Sequence, residues 1–144
     1  MFVFDTDHLS ILQRKNEPEL SRVLKRMSRY NSSDFFVSIV SFQEEVAGWN
    51  RHLAGARTQR DLIFGYEMLR NVISDFAALQ ILDFDSHVSQ RFISLKKQKV
   101  RIGTMDLRIA SITLTYNMTL LTRNTVDFER VSGLRIKDWT LPLS

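Results

Sequence analysis

Four carboxylates in this chain stand where chemistry could be done: Asp5, Glu44, Asp106 and Asp127. Asp5 ends the apolar run "FVF", and Glu44 falls in the first turn of a helix after the run "DFFVSIVS". Asp106 sits in the first turn of a helix within "IGTMDLRIA", and Asp127 follows the apolar "MTLLT". Acids brought together in this way repel, and each resists ionisation beside the others. A hard divalent cation such as Mg²⁺ or Mn²⁺ relieves that repulsion with oxygen ligands and retained waters. Such an ion activates water and offsets charge on a phosphoryl group, the chemistry of a metal-dependent nuclease.

Each acid also has a structural reading. Asp7 is placed to cap a helix starting at His8. "SFQE", residues 41–44, matches a capping box in which Glu44 bonds back to the Ser41 amide. Asp106 would gain from a helix dipole, and Asp127 would belong to a turn begun by Asn124. Asp5 caps nothing obvious. A second pair, Asp83 and Asp85 in "LDFDS", imitates Asp5 and Asp7 and reads as structural, with Asp85 capping the next helix. His8, His52 and His87 show no metal-ligand spacing, so surface or capping roles are expected. Walker, GxGxxG and GxSxG motifs are absent.

The elements that must position these acids alternate. Apolar or β-branched runs at 2–4, 34–41, 79–84, 118–122 and 134–136 read as five short strands. Between them, helical spacing covers 8–14, 17–30, 41–53, 57–74, 86–99 and 104–116. In the fourth of these, Leu62, Tyr66, Leu69 and Ile73 form one stripe; the last has two apolar stripes and reads as buried. This order predicts an α/β domain over 1–144, three layers deep, with a central parallel sheet of about five strands. In such sheets function gathers at the carboxyl edge, where acids distant in sequence can meet.

The bulk composition sets bounds. At 144 residues, 44% hydrophobic and 25% charged, the chain can bury one ordinary core. Twenty Lys and Arg against 16 Asp and Glu leave a net charge of +4, a mild bias toward polyanionic partners. One helix face concentrates it at Arg22, Lys25, Arg26 and Arg29, which either meets phosphates or is simply solvated. The absence of cysteine suits a reducing cytoplasm. Only three apolar residues separate Met1 from Asp5, so no signal peptide is expected, and no stretch reads as a membrane span.

The order of the acids and their neighbours resembles the PIN-domain family, and within it the VapC-like toxin ribonucleases. The resemblance is carried by "FDTDHLS" at 4–10, "VSIVSFQEEVAGW" at 37–49, "RIGTMDLRIASITL" at 101–114 and "LLTRNTVDFERVSGLRIKDW" at 120–139. It implies a Mg²⁺- or Mn²⁺-dependent endoribonuclease, commonly a homodimer and silenced by a cognate antitoxin. Residue by residue, it implies metal binding by Asp5 and Asp106, with Glu44 and Asp127 completing the acidic set. Glu45 is adjacent to Glu44, but the start of the helix favours Glu44. Thr122 and Asn124 correspond to polar residues that orient acids or substrate; Arg123 and Arg108 are candidates for flanking phosphates. Two other readings stay open: a haloacid-dehalogenase-like phosphatase using "DTD", which lacks that family's later motifs, and a non-catalytic PIN-like binding module.

Overall fold

Every side chain of the opening apolar run is buried. In the computed structural model, which describes residues 1–143, Phe2–Phe4 (β1) is the middle strand of a five-stranded sheet. The chain continues through Thr6–Arg14 (α1) and Glu19–Met27 (α2) to Phe35–Ser38 (β2). Ile39–Ala54 (α3) and Gln59–Ala77 (α4) then lead to Ile81–Leu82 (β3). Ser86–Lys97 (α5), Thr104–Thr115 (α6), Thr119–Leu121 (β4), Thr125–Phe128 (α7) and Arg135–Lys137 (β5) complete it.

The sheet order is β3-β2-β1-β4-β5, and every pairing is parallel. The chain builds outward from β1 to β2 and β3, then returns to lay β4 on the other side of β1. Phe4 is in register with both Val37 and Leu121, so the carboxyl ends of three strands coincide. This is the topological switch point, where an α/β sheet opens a crevice.

Period-two alternation splits the core into two layers. Val3 and Leu120 join Val88, Ile109, Ile112 and Phe128 on one face of the sheet. Phe2, Phe4 and Leu121 join Phe35, Val37, Val72, Phe76 and Trp139 on the other. Each such fully buried side chain contributes about 1.5–3 kcal/mol of transfer free energy. The doubly striped α6 is buried through Leu107, Ile109, Ala110 and Ile112, as its sequence predicts. It ends on Asn117 at φ 54°, a left-handed residue that turns the chain into β4.

Four local expectations are corrected. The cap of α1 is Asp5, whose carboxylate accepts from the Thr6 amide, and Asp7 lies inside the first turn. α3 starts at Ile39 under Ser38, whose hydroxyl accepts from the Ser41 amide, so "SFQE" is no capping box. In α4 the buried stripe is Gly65, Val72 and Phe76; Tyr66 and Ile73 are exposed, one step around the helix. A Cβ on Gly65 would meet Leu53 and His52 side-chain carbons at 2.6 and 2.8 Å, which shows how closely α3 and α4 approach. His8 is fully buried rather than superficial. No helix among the described residues is long and apolar enough to cross a membrane.

Candidate active site

β1 delivers Asp5 to the crevice with 6% of its surface exposed. One carboxylate oxygen accepts from the Thr6 amide at 2.8 Å, and the other from the Thr122 hydroxyl at 2.8 Å. Burial, and next the charge of Asp7, push the Asp5 carboxyl up to about 7 despite those two bonds. Thr122 follows β4 directly, so the bond ties together the ends of the two strands that flank the switch point.

Asp7 belongs to the same constellation. Its Oδ2 accepts from the Arg123 amide at 2.9 Å, and the Thr122 hydroxyl lies 3.3 Å away. Its Oδ1 is 2.8 Å from Nδ1 of His8, whose Nε2 accepts from the Trp139 amide at 3.1 Å. That acceptor role places the imidazole proton on Nδ1, donated to Asp7. The buried His8 thus anchors Asp7 to the segment after β5.

The helices supply the other acids. Thr6 donates its hydroxyl to Oε1 of Glu44 at 3.1 Å and lies 3.0 Å from the Ser41 hydroxyl, joining α1 to α3. Asn124 donates from its side-chain amide to Asp127 at 3.0 Å and to Asp106 at 3.4 Å. Half-burial raises the Asp106 carboxyl, and Asp127 and Asp7 raise it further. Glu44 is raised by its own burial and then, against the Thr6 bond, by Asp106 and Asp7. Sequence reasoning singled out four acids, and the fold brings Asp5, Glu44, Asp106 and Asp127 to one crevice with Thr122 and Asn124 between them. It read Asp7 as a helix cap with at most a secondary role near the pocket, and it missed Thr6 and His8 as members. A strand ending at Phe4 puts its next residue at the cap, which leaves Asp7 free; that was the available signal.

Among the described residues, no lysine or arginine pairs with Asp5, Asp7, Glu44 or Asp106; only Asp127 has one, Arg130 at 3.6 Å. An all-oxygen donor set, mutually repelling and with Arg130 beside Asp127 as its one arginine or lysine partner among the described residues, fits a hard divalent cation. Among the described residues, no three of these groups form a ready-made metal shell. Asp5 and Asp106 are the carboxylates from the two sides of the crevice that would hold it.

Several of the basic residues singled out from the sequence are engaged within the fold. Arg108 lies over the Phe92 ring and donates to the Met105 sulfur. Arg22 and Arg26 donate to backbone carbonyls of Trp139, Thr140 and Leu141, clamping the C-terminal segment to α2. Arg123 contributes its backbone amide, and its side chain is exposed.

Residues 2–134 match the PIN domain family. The chain is 28% identical over 142 residues to the tRNA(fMet)-specific endonuclease VapC of Salmonella typhimurium, covering 96% of this chain and 97% of that one. Among solved structures, the DNA-bound VapBC complex of Salmonella typhimurium contains a chain that matches at 25% identity with a TM-score of 0.70. That match covers 96% of this chain and 97% of the other. A chain of VapBC-1 from nontypeable Haemophilus influenzae superposes with a TM-score of 0.73 at 24% identity. It covers 97% of this chain and 98% of its counterpart, a likeness of fold.

Proposed function

Because this chain belongs to the PIN domain family, we propose that it is an endoribonuclease of the VapC type, the toxin of a toxin–antitoxin pair. The reading rests above all on the crevice at the end of β1. There a buried aspartate, raised to about 7, shares the crevice with Asp7, Glu44 and Asp106, and among the described residues no lysine or arginine pairs with any of them. Binding alone has no use for such an arrangement. A Mg²⁺ or Mn²⁺ ion held by Asp5 and Asp106 would supply an activated water and offset charge on the phosphodiester.

The chain's own residues then have separable tasks. Thr122 holds the Asp5 carboxylate to the end of β4, and Asn124 keeps Asp106 and Asp127 side by side. Thr6 fixes Oε1 of Glu44, which leaves Oε2 open to accept a proton from attacking water. Asp7, locked by His8 and the Arg123 amide, adds charge that draws the cation in and is poorly placed to move as a general acid. That lock counts against the phosphatase reading, in which Asp7 must donate a proton to a leaving group.

The partners follow from the same reading: RNA as substrate, an antitoxin protein as the inhibitor, and a second copy in a homodimer. The test is cleavage of total cellular RNA by the purified protein with Mg²⁺ or Mn²⁺, with and without a chelator. Discrete cleavage that the chelator stops, and that Asp5→Asn and Asp106→Asn abolish, is expected. Cleavage that persists in either variant, or none with the wild type, overturns the assignment.

A further inference from the structure

Thr6 and Glu44 belong to the acidic crevice and also line an adjoining cavity. This cavity, about 480 Å³, runs between α1, α3 and α4 and is lined by Gln13, Arg14, Glu45, Gly48, Trp49 and Asp75. Its size is within the range of small-molecule sites. At its wall, the Gln13 side-chain amide donates to Asp75 Oδ2 at 3.1 Å and to Glu45 Oε2 at 3.4 Å. One –NH₂ group therefore already sits between two carboxylates. The other oxygens, Glu45 Oε1 and Asp75 Oδ1, accept no hydrogen bond from the described residues, and neither acid has an ion-pair partner there.

Gly48 is the second observation. It lies within α3, where glycine weakens a helix relative to alanine. Gly65 has a packing reason for lacking a side chain; Gly48 has none. A Cβ there would meet nothing nearer than the Arg51 guanidinium at 3.8 Å. What the missing side chain leaves open is the cavity.

We propose, resting on the ribonuclease reading, that this cavity is a nucleobase subsite in which Glu45 and Asp75 read the Watson–Crick edge of a guanine beside the scissile phosphate. Guanine presents N1–H and the N2 amino group side by side, a donor pair that matches the free carboxylate oxygens. Adenine and cytosine set one amino group beside a ring acceptor, and uracil flanks its single N–H with carbonyls that would face the acids. The Trp49 indole gives the apolar aromatic wall on which an unstacked base packs. Arg14 at the rim is the cation for a neighbouring phosphate. Thr6 and Glu44, shared by the crevice and the cavity, place the bound base next to the reacting phosphate.

The test is cleavage of an RNA pool randomised around the cut site by the purified full-length protein with Mn²⁺. The wild type should favour guanine at one fixed position by about tenfold or more. Inosine there, which lacks the N2 amino group, should slow cleavage by a similar factor. Glu45→Gln and Asp75→Asn should lose both preferences while still cutting the disfavoured sequences at the wild-type rate. Gly48→Leu should keep the wild-type Tm and lose the preference because it fills the cavity. Wild-type cleavage with no base preference, or the same preference in all variants, overturns the subsite. So does a result in which the variants weaken only the binding of a basic protein partner. If the wild type cuts no RNA, the ribonuclease reading falls as well, an outcome distinct from cleavage with an unchanged base profile.

Discussion

Two Asp-x-Asp segments follow short apolar strands in this chain, and they do opposite things. After β1, Asp5 and Asp7 both face the crevice; after β3, Asp85 caps α5 by accepting from the Val88 amide at 2.9 Å. Burial and neighbouring acids push Asp5 up to about 7. The Tyr116 hydroxyl and the Val88 amide hold Asp85 below the usual carboxylate value. The sequence around them differs little. Their place in the sheet differs greatly: β1 is central, with a strand on each side, and β3 is a two-residue edge. A carboxylate at the centre loses water and meets acids from other strands. One at the edge keeps its water and takes its donors from its own helix and from Tyr116, with no acid from another strand beside it. Position in the sheet, rather than spacing, turns an acid into a reactive group.

The largest test of that contrast is to neutralise the two first acids. Asp5→Asn should cut RNA cleavage by a factor on the order of 10²–10³ or more with the fold retained. Asp83→Asn should leave the rate unchanged. Equal losses in cleavage assays would break the comparison.

The two sites should also respond oppositely to pH. Asp5 keeps its proton in the folded state up to about 7, so the folded state binds more protons than the unfolded one above the ordinary aspartate value of 3.8. Stability of the metal-free protein should therefore fall as pH rises across that interval, by an upper bound on the order of 4 kcal/mol. Raised Glu44 and Asp106 add in the same sense. Asp85, with a lowered value, contributes stability above the unfolded carboxylate range that is lost as pH falls. Thermal melts in chelator across this range should show the Asp5 slope, flattened in Asp5→Asn and opposed by added Mg²⁺. A melt that rises with pH in the wild type between 4 and 7 would contradict the burial argument.

A smaller effect is expected at Thr122. Thr122→Val removes the hydroxyl bonded to Asp5, at a cost of about 1–3 kcal/mol to a buried acceptor. Cleavage should drop roughly tenfold, and the acid limb of the pH–rate profile should move to higher pH, since the lost bond favours the charged form. An unchanged profile would mean that Thr122 does not tune Asp5. The smallest effect belongs to Asp85→Ala, which should lower Tm modestly through the lost cap and leave cleavage untouched.

Legibility varied with how local each decision was. The alternation of short apolar strands with helices was enough for a parallel α/β sheet, and the doubly striped α6 was correctly read as buried. The acids were also nameable: Asp5 follows a strand end, Asp106 and Asp127 fall in helical first turns, and Glu44 lies one turn into the helix after β2. Boundaries were less secure. Helix starts were misplaced by two residues at α1 and α3, and each shift changed a role: Asp7 moved from cap to crevice, and Glu44 from capping box to an acceptor for Thr6. The α4 stripe erred because Gly65, which carries no hydrophobic signal, marks the face against α3.

By itself the sequence determined the local elements, the inventory of oxygen donors and the lack of cysteine, since hydrophobic period and residue chemistry act over a few neighbours. Tertiary structure decided which donors meet. The return of the chain to lay β4 beside β1 brings Thr122 to Asp5, and the fold sets Asp106 and Asn124 around the same crevice. The same packing buries His8 against Asp7 and Trp139, and strips water from one aspartate while leaving its near-copy at the sheet edge solvated. Desolvation and charge repulsion depend on distances through space, and those exist only once the sheet has closed around β1.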